Sequence, residues 1–409
     1  MVTDVIIVGG GAAGLCAAVY LKQNAPELSV RIFESQARVG KKLALTGNGR
    51  CNITNKNINS SRYHGTNVNF CDTALNKYDR KFTEAFFESI GVPIVYEEDK
   101  GFPSSLQAAS VVDCLRFAAD SLGVITHLET KVTNIQTSGA EYKVICDNMS
   151  FLAKNVIIAT GLYSGGDRLG CDGSMLQLLK KAGYRTASVT PAIVQVKTVI
   201  DIVKQLKGIK VGGAATLKCD GEIIRKEVGE ILFCDYGLSG PPILQISREV
   251  SRVKGKCEIS LDIIPNIDFN PLMNLLCERV RNLSSRTLDE FFTGMLNKRL
   301  GQVILKCAGC GLMEKAESLD SSKIKRIAAL LKNFNFEVTG TTGYNNSQVS
   351  AGGLLTSQFC ADSMMSKNDK GFYAVGEILD IDGDCGGFNL QWAWSSAFCA
   401  ADAIIDSRN

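Results

Sequence analysis

Residues 5–8 (VIIV) form an unbroken apolar run that stops at a glycine, the pattern of a strand buried on both faces of a parallel sheet. Behind it, Leu15, Ala18 and Val19 recur at helical spacing, and a second apolar run at residues 30–33 ends on Glu34. Phe82, Ala85, Phe86 and Ile90 share one side of a predicted helix that Gly91 stops, and residues 110–122 predict another that ends at Gly123. Between residues 124 and 151 the pattern becomes strand-like (VITHL, KVTNIQ, EYKVICD), which predicts a small antiparallel layer inserted in the first domain. Residues 155–160 (NVIIAT) predict another buried parallel strand, and a glycine-rich segment then leads into a helix ending at Gly183.

The pattern changes near Ser188. Residues 188–263 read as successive short strands with turns between them, including an Asp220-Gly221 hairpin turn, as in a β-barrel or sandwich. Residues 271–331 carry helical periodicity, residues 335–340 return to strand, residues 372–375 predict a last buried strand and residues 389–405 a last helix. The middle region therefore reads as an insertion into an α/β domain, with the chain returning at about Ala351. The expected boundaries are 1–187 with 351–409 for the α/β domain, 188–263 with 334–350 for the β domain and 264–333 for the helices.

Composition narrows this picture only slightly. A chain of 409 residues exceeds one typical core, and 45% hydrophobic with 21% charged residues is ordinary for a folded protein. A net charge of +3 gives no reason to expect nucleic acid or an anionic membrane as a partner. The uncharged run at residues 5–21 holds four glycines and is too short for a comfortable membrane span; Asp4 before it opposes a secretory leader. The fifteen cysteines are accordingly read as mostly reduced thiols in a cytoplasmic protein. Cys307 and Cys310 make a lone C-x-x-C with no second pair, and His64 and His127 are the chain's two histidines, so no metal site is expected.

Chemistry concentrates at three glycine-rich strand ends. Gly9, Gly11 and Gly14 form G-x-G-x-x-G between a strand and a helix, and Glu34 ends the next strand, where a carboxylate can accept from ribose hydroxyls. The others are Thr160-Gly161 and the segment from Gly376 to Asn389. Ligands of open α/β sheets lie outside such ends, and three of them fit a long dinucleotide. Residues 35–55 lack either regular period and hold Gly47-Asn48-Gly49-Arg50; a long ordered loop after a nucleotide motif points to function. No G-x-S-x-G or H-E-x-x-H occurs, which leaves hydrolase and metalloenzyme readings without support.

These stretches resemble the two-dinucleotide-binding flavoproteins, and more closely the BaiN-type, or aminoacetone-oxidase-like, NAD(P)/FAD-dependent oxidoreductases. The resemblance rests on VIIVGGGAAG with Glu34, KKLALTGNGRCNITN (41–55), VIIATGLYSGGDRLGCDG (156–173), GEILFCDYGLSGPPILQIS (229–247) and GFYAVGEILDIDGDCGGFNLQWAWSSA (371–397). It implies a Rossmann-like FAD-binding domain with an inserted β-barrel domain and a small helical domain. It also implies that Gly9, Gly11, Ala13 and Gly14 hold the pyrophosphate and Glu34 the adenosine ribose. Lys42, Gly47, Asn48, Gly49, Arg50, Cys51 and Asn52 would line the phosphate and flavin region, with Val132 on the adenine side and Thr160 and Gly161 closing over the cofactor. Gly376, Glu377 and Asp380 would meet the ribityl and phosphate part, and Gly387, Phe388, Asn389, Leu390 and Gln391 the isoalloxazine. The sequence departs from the family pattern at Asp235, Tyr184 and Cys385, where relatives often carry His, His and Thr. Trp392 and Trp394 are read as packing residues, and His64 and His127 as ordinary polar residues.

The function implied is reduction of an activated C=C bond in a 3-oxo, bile-acid-like enone, with NAD(P)H as electron donor and Arg50 and Tyr236 as candidates for polarising the carbonyl or supplying a proton. The inserted domain would contribute an apolar pocket for a steroid-sized ligand. An amine oxidase passing electrons to O₂ is the alternative within the family, and an FAD-dependent RNA-modifying protein a third reading that the charge balance opposes. The expected partner is a small molecule, with neither nucleic acid nor membrane; the oligomeric state is left open.

Overall fold

The apolar run at residues 5–8 becomes β1 (Thr3–Val8), whose Val5, Ile6 and Ile7 are wholly buried, and α1 (Ala12–Asn24) follows the glycine turn. Each such side chain taken out of water contributes ~1.5–3 kcal/mol. The computed structural model describes residues 2–147 and 149–408 and resolves two compact units, one running to Pro191 and resuming at Tyr344, the other Ala192–Gly343.

In the first unit, β2 (Val30–Phe33) and β3 (Ile125–His127) extend the sheet on one side of β1. On the other side stand β4 (Val132–Ser138), β5 (Glu141–Cys146) and β6 (Met149–Ile158), in the order β3-β2-β1-β6-β5-β4, with β7 (Phe372–Ala374) also on β6. Pairing is parallel from β3 through β6 and on to β7, and antiparallel among β6, β5 and β4. The antiparallel strands expected as a separate layer are therefore part of the main sheet. The reason is β6: its first half pairs with β5, while its second half (the NVII of the sequence pattern) pairs with β1 and β7. The chain closes with α2 (Phe388–Asp406), almost entirely buried, on which Trp392 and Trp394 donate to Gly376 O and Ile53 O.

The second unit is a closed six-stranded barrel ordered 196–198, 237–239, 222–233, 210–219, 257–262 and 334–341, with the helices of residues 269–332 packed on the same apolar core. Residues 188–191 and 344–350 stay with the first unit because Thr186–Ala192 pairs with Val349–Leu354. One disulfide stands among the mostly reduced thiols expected: Cys219 and Cys257, directly opposite on adjacent antiparallel strands, are bonded, while the other thirteen cysteines, Cys307 and Cys310 among them, form no disulfide. Among the described residues no helix is long and apolar enough to cross a membrane.

The start of β1 carries a pH-dependent tie. Asp4 accepts from Ser29 N and Oγ and from Lys154 Nζ. Partial burial works to raise its carboxyl, but the Lys154 ammonium and the Ser29 donors outweigh it and hold the group at about 2. A depressed carboxyl stabilises the fold above its unfolded value near 3.8, and this is lost as pH falls toward about 2. Asp4→Asn is therefore expected to cost up to ~1 kcal/mol at neutral pH, its partner Lys154 being largely exposed, and nothing well below pH 2. Urea titrations at several pH values measure this; a deficit that persists in acid would refute the assignment.

Candidate active site

The G-x-G-x-x-G turn is built around Gly14. A Cβ there would lie 1.9 Å from Gly9 O, so only glycine lets α1 start this close to β1. Gly9, at φ +105°, is equally tight: its Cβ would stand 2.7 Å from Ala159 O at the end of β6. No side chain caps α1 and no acid lies in its first turn, so Gly11, Ala12 and Ala13 open an N-terminus whose N–H groups and dipole favour an anion. Glu34, one residue beyond β2, accepts from Gly10 N at 2.9 Å and Gln36 N at 2.8 Å, which fixes its carboxylate beside the turn. Thr130 N bonds Glu34 O, bringing the approach to Val132, buried at the start of β4, to the same corner.

Lys42 pairs with Glu377 at 2.5 Å, and Glu377 also accepts from Ser350 N. Burial pushes the nearby Cys171 thiol up; Lys42 opposes the rise, and Glu377, Glu34 and Asp172 add to it, so these charges share one neighbourhood. Gly376 abuts the α1 start, its missing Cβ standing 3.2 Å from Ala13 Cβ. Thr160, with its hydroxyl on Gly161 O, and Gly161 follow β6 at the same edge.

Residues 46–51 form a coiled turn in which Gly47, Asn48, Gly49 and Cys51 all take left-handed φ. Asn48 and Cys51 have a Cβ, so this conformation costs ~1–3 kcal/mol each and marks a constrained loop. Cys51 is wholly buried, which pushes its thiol up to about 12 and makes it an inert thiol rather than a nucleophile. Arg50 turns the other way: it pairs with Glu97 and lies over the Phe102 ring at 4.4 Å, a cation held in place from two sides.

The last glycine-rich stretch meets this loop. Gly387, at φ +99°, precedes α2, and a Cβ there would collide with Thr54 O at 2.4 Å and crowd Asn52 Oδ1 at 2.8 Å. Asn52 Oδ1 is buried without a hydrogen-bond partner, and α2 starts with neither a side-chain cap nor an acid. A buried acceptor lacking a donor costs ~1–3 kcal/mol. An N–H-bearing ring placed here would satisfy it. The residues present therefore fit a dinucleotide with a planar, hydrogen-bonding ring: an anion-binding helix start, a fixed ribose-type carboxylate and an orphaned acceptor beside a second open helix start.

The side chains of several predicted contacts are engaged within the fold. Gln391 is wholly buried; its Oε1 accepts from Thr54 Oγ1, its Nε2 donates to Tyr78 O, Thr83 Oγ1 and Ser395 Oγ, and its N–H bonds Gly387 O. Asn389 clamps both backbone groups of Gly383, and Asp380 Oδ2 accepts from Thr66 N and Oγ1. Phe388 is buried, with its O accepting from Tyr63 Oη, and Leu390 packs on the core. Tyr236 belongs to the second unit, where burial, then Cys234 and Asp235, push its phenol well up; neighbouring Asp235 pairs with Lys207 at 2.6 Å. That unit also holds a cavity of about 840 Å³ lined by Val211, Ile263, Ile264, Ile267, Leu275 and Leu296 among others. One cluster escaped sequence reasoning: His64 Nε2 lies 2.9 Å from Asp384 Oδ1, and Arg62 3.3 Å from Asp384 Oδ2. No local spacing signals a pair 320 residues apart.

Residues 3–403 match the family described as HI0933-like protein Rossmann domain. The chain belongs to the HI0933-like family. It is 30% identical over 406 residues to the 3-dehydro-bile acid delta(4,6)-reductase of Clostridium scindens, spanning 98% of both chains. To the ribosomal RNA dihydrouridine synthase of Haemophilus influenzae it is 27% identical, again over 98% of both. Among solved structures, the 3-ketosteroid delta1-dehydrogenase of Sterolibacterium denitrificans superposes with a TM-score of 0.51 at 14% identity, covering 99% of each chain, which shows a shared fold. The HI0933-like protein is thus an enzyme, an FAD-dependent oxidoreductase with a Rossmann-type domain. A full-length relative named for ribosomal RNA leaves the exclusion of nucleic acid without support.

Proposed function

We propose that this chain is an NAD(P)H-linked flavin reductase of a C=C bond conjugated to a carbonyl, acting on a 3-oxo, bile-acid-like substrate. The observation that carries this reading is the full-length match to a 3-dehydro-bile acid delta(4,6)-reductase. Bound FAD supplies the hydride. The α1 start around Gly11 and Ala13 binds the pyrophosphate and Glu34 the ribose; Asn52 accepts from the ring, and the open start of α2 steadies negative charge at its edge. Arg50, held by Glu97 and Phe102, polarises the substrate carbonyl.

Anaerobic mixing tests this. NADH or NADPH is expected to bleach the flavin, and a 3-oxo-4-ene steroid to restore it; a flavin that no enone reoxidises refutes the reading, and peroxide formed from aminoacetone in air would favour the amine oxidase. Arg50→Met is expected to lower kcat about 10²-fold, the loss typical of one oxyanion donor, with flavin absorbance retained. A fall below about threefold would remove Arg50 from the chemistry.

A second reading keeps the reaction and changes the substrate. Uracil, too, has a C=C conjugated to a carbonyl, and a whole-length relative is named as a ribosomal RNA dihydrouridine synthase. Over residues 192–343 the chain carries 22 lysines and arginines against 17 aspartates and glutamates, so that the positive charge gathers in the second unit. Dihydrouridine formed in ribosomal RNA by the reduced enzyme, with no turnover of steroid enones, would establish this reading in place of the first.

A further inference from the structure

A hairpin beside the start of α2 carries a cation that the proposed chemistry does not use. Its strands, Ile94–Glu97 and Lys100–Pro103, pair in antiparallel register, and Lys100 and Gly101 also pair with Asn55 and Thr54, just beyond the coiled turn. Asn55 donates to Gly386 O, which ties this edge to the loop entering α2. A Cβ at Gly386 would lie 3.7 Å from Lys100 Cε, 3.6 Å from Asn55 Nδ2 and 3.7 Å from Phe388 Cε2, so the lysine side chain runs against the glycines before α2. Its charge is felt there: burial pushes the Cys385 thiol up, and Lys100 opposes the rise.

The neighbouring cations are engaged. Arg50 is held by Glu97 and Arg62 by Asp384, while Lys56 donates to Glu98 O with its ammonium over the Tyr96 ring. Glu97 stands directly opposite Lys100 on the paired strand but turns to Arg50. Lys100 is partly buried, and among the described residues its ammonium has neither a hydrogen bond nor an ion pair. One residue beyond Gly386, a Cβ at Gly387 would crowd Asn52 Oδ1 at 2.8 Å, the buried acceptor without a donor. A cation lacking an anion and an acceptor lacking a donor thus flank one helix start. Together they suit a ring edge that offers an N–H to Asn52 and gathers negative charge near Lys100.

We propose that Lys100 is the counter-charge of the reduced cofactor: its ammonium stabilises the negative charge gained at the ring edge held by the start of α2, and so raises the reduction potential. The nicotinamide donor's C–H bond breaks and its hydride brings two electrons and one proton to the ring, which leaves one unit of negative charge there. Lys100 keeps all of its protons throughout. When the enone takes the hydride away, that charge leaves with it. This rests on the FAD reading above and assigns a residue to tuning the same site.

The test is the midpoint potential of the FAD-loaded enzyme. Lys100→Met is expected to weaken the hold on reduced relative to oxidised FAD about tenfold, read as a potential ~30 mV lower for a two-electron couple. Lys100→Arg keeps the charge and should stay within ~10 mV of the wild type. Lys56→Met, which removes the nearby cation over Tyr96, should leave the potential unchanged. By linkage, the affinity of the apoprotein for oxidised FAD should hold in Lys100→Met, the loss falling on the reduced form. Lys100→Gln carries the same expectation should Lys100→Met fail to fold. Equal potentials in wild type and the charge-removing variants, or an equal fall in Lys100→Arg or Lys56→Met, overturns the proposal and leaves the FAD reading standing. A protein that takes up no FAD overturns both.

Discussion

Gly14→Ala is expected to yield protein that no longer retains flavin. The new methyl carbon would lie 1.9 Å from Gly9 O, a backbone atom that no rotamer change can move, with Ile7 Cγ2 also 3.3 Å away. The helix must withdraw from β1 by more than an ångström. That displaces the N–H groups that make the anion site and parts the turn from Glu34, which accepts from Gly10 N. The expected loss in FAD affinity is on the order of 10²-fold or more, ~2.7 kcal/mol at least, read from flavin absorbance after dialysis. Gly123→Ala, outside the predicted site residues, is the control. Nothing lies within 4 Å of its added Cβ, so the strain of φ +76° alone costs ~1 kcal/mol and flavin should remain. Equal flavin content in Gly14→Ala and wild type would show that the dinucleotide does not bind at this turn.

The second large effect is on stability. Gln391→Leu keeps the volume of a wholly buried side chain and removes its amide, leaving the Thr54 and Thr83 hydroxyls without their partner. Tyr78 O keeps Ser395 Oγ as donor, so two groups are orphaned rather than three. At ~1–3 kcal/mol for each unsatisfied buried group, the cost is about 4 kcal/mol. For a unit of this size that lowers Tm by roughly 10 °C in the transition of the first unit. Differential scanning calorimetry would expose an error in this account if the transition moved by less than about 2 °C.

Local pattern carried the front of the site. β2 matches its expected run residue for residue, and the β1–turn–α1 unit follows from an apolar run, three glycines and helical spacing, all within a few neighbours of one another. What was not legible depends on distant segments. The antiparallel half of β6 pairs residues whose side chains alternate only weakly, so the sheet continues where a separate layer was expected. Cys219 and Cys257 become partners only once strand register sets them opposite each other. Gln391 is expected as a ring contact from the motif around it, and the network that holds its side chain needs Thr54, Tyr78 and Thr83, more than 300 residues away in the chain. His64 looked ordinary for the same reason, because Asp384 is invisible from position 64.

The two halves of the candidate site stand at opposite ends of the order of synthesis. The phosphate turn is among the first segments made, but β7, Gly376 and α2 follow the whole of the inserted unit, residues 192–343. On the ribosome the barrel with its helices is complete in sequence while the first unit still lacks a strand and its most buried helix, so the inserted unit can fold first. Until α2 emerges, the nascent chain can offer FAD only its adenosine-diphosphate half. Cofactor loading is therefore expected as a closing step of biogenesis, and a ribosome stalled before residue 376 should carry a chain that captures ADP but not riboflavin.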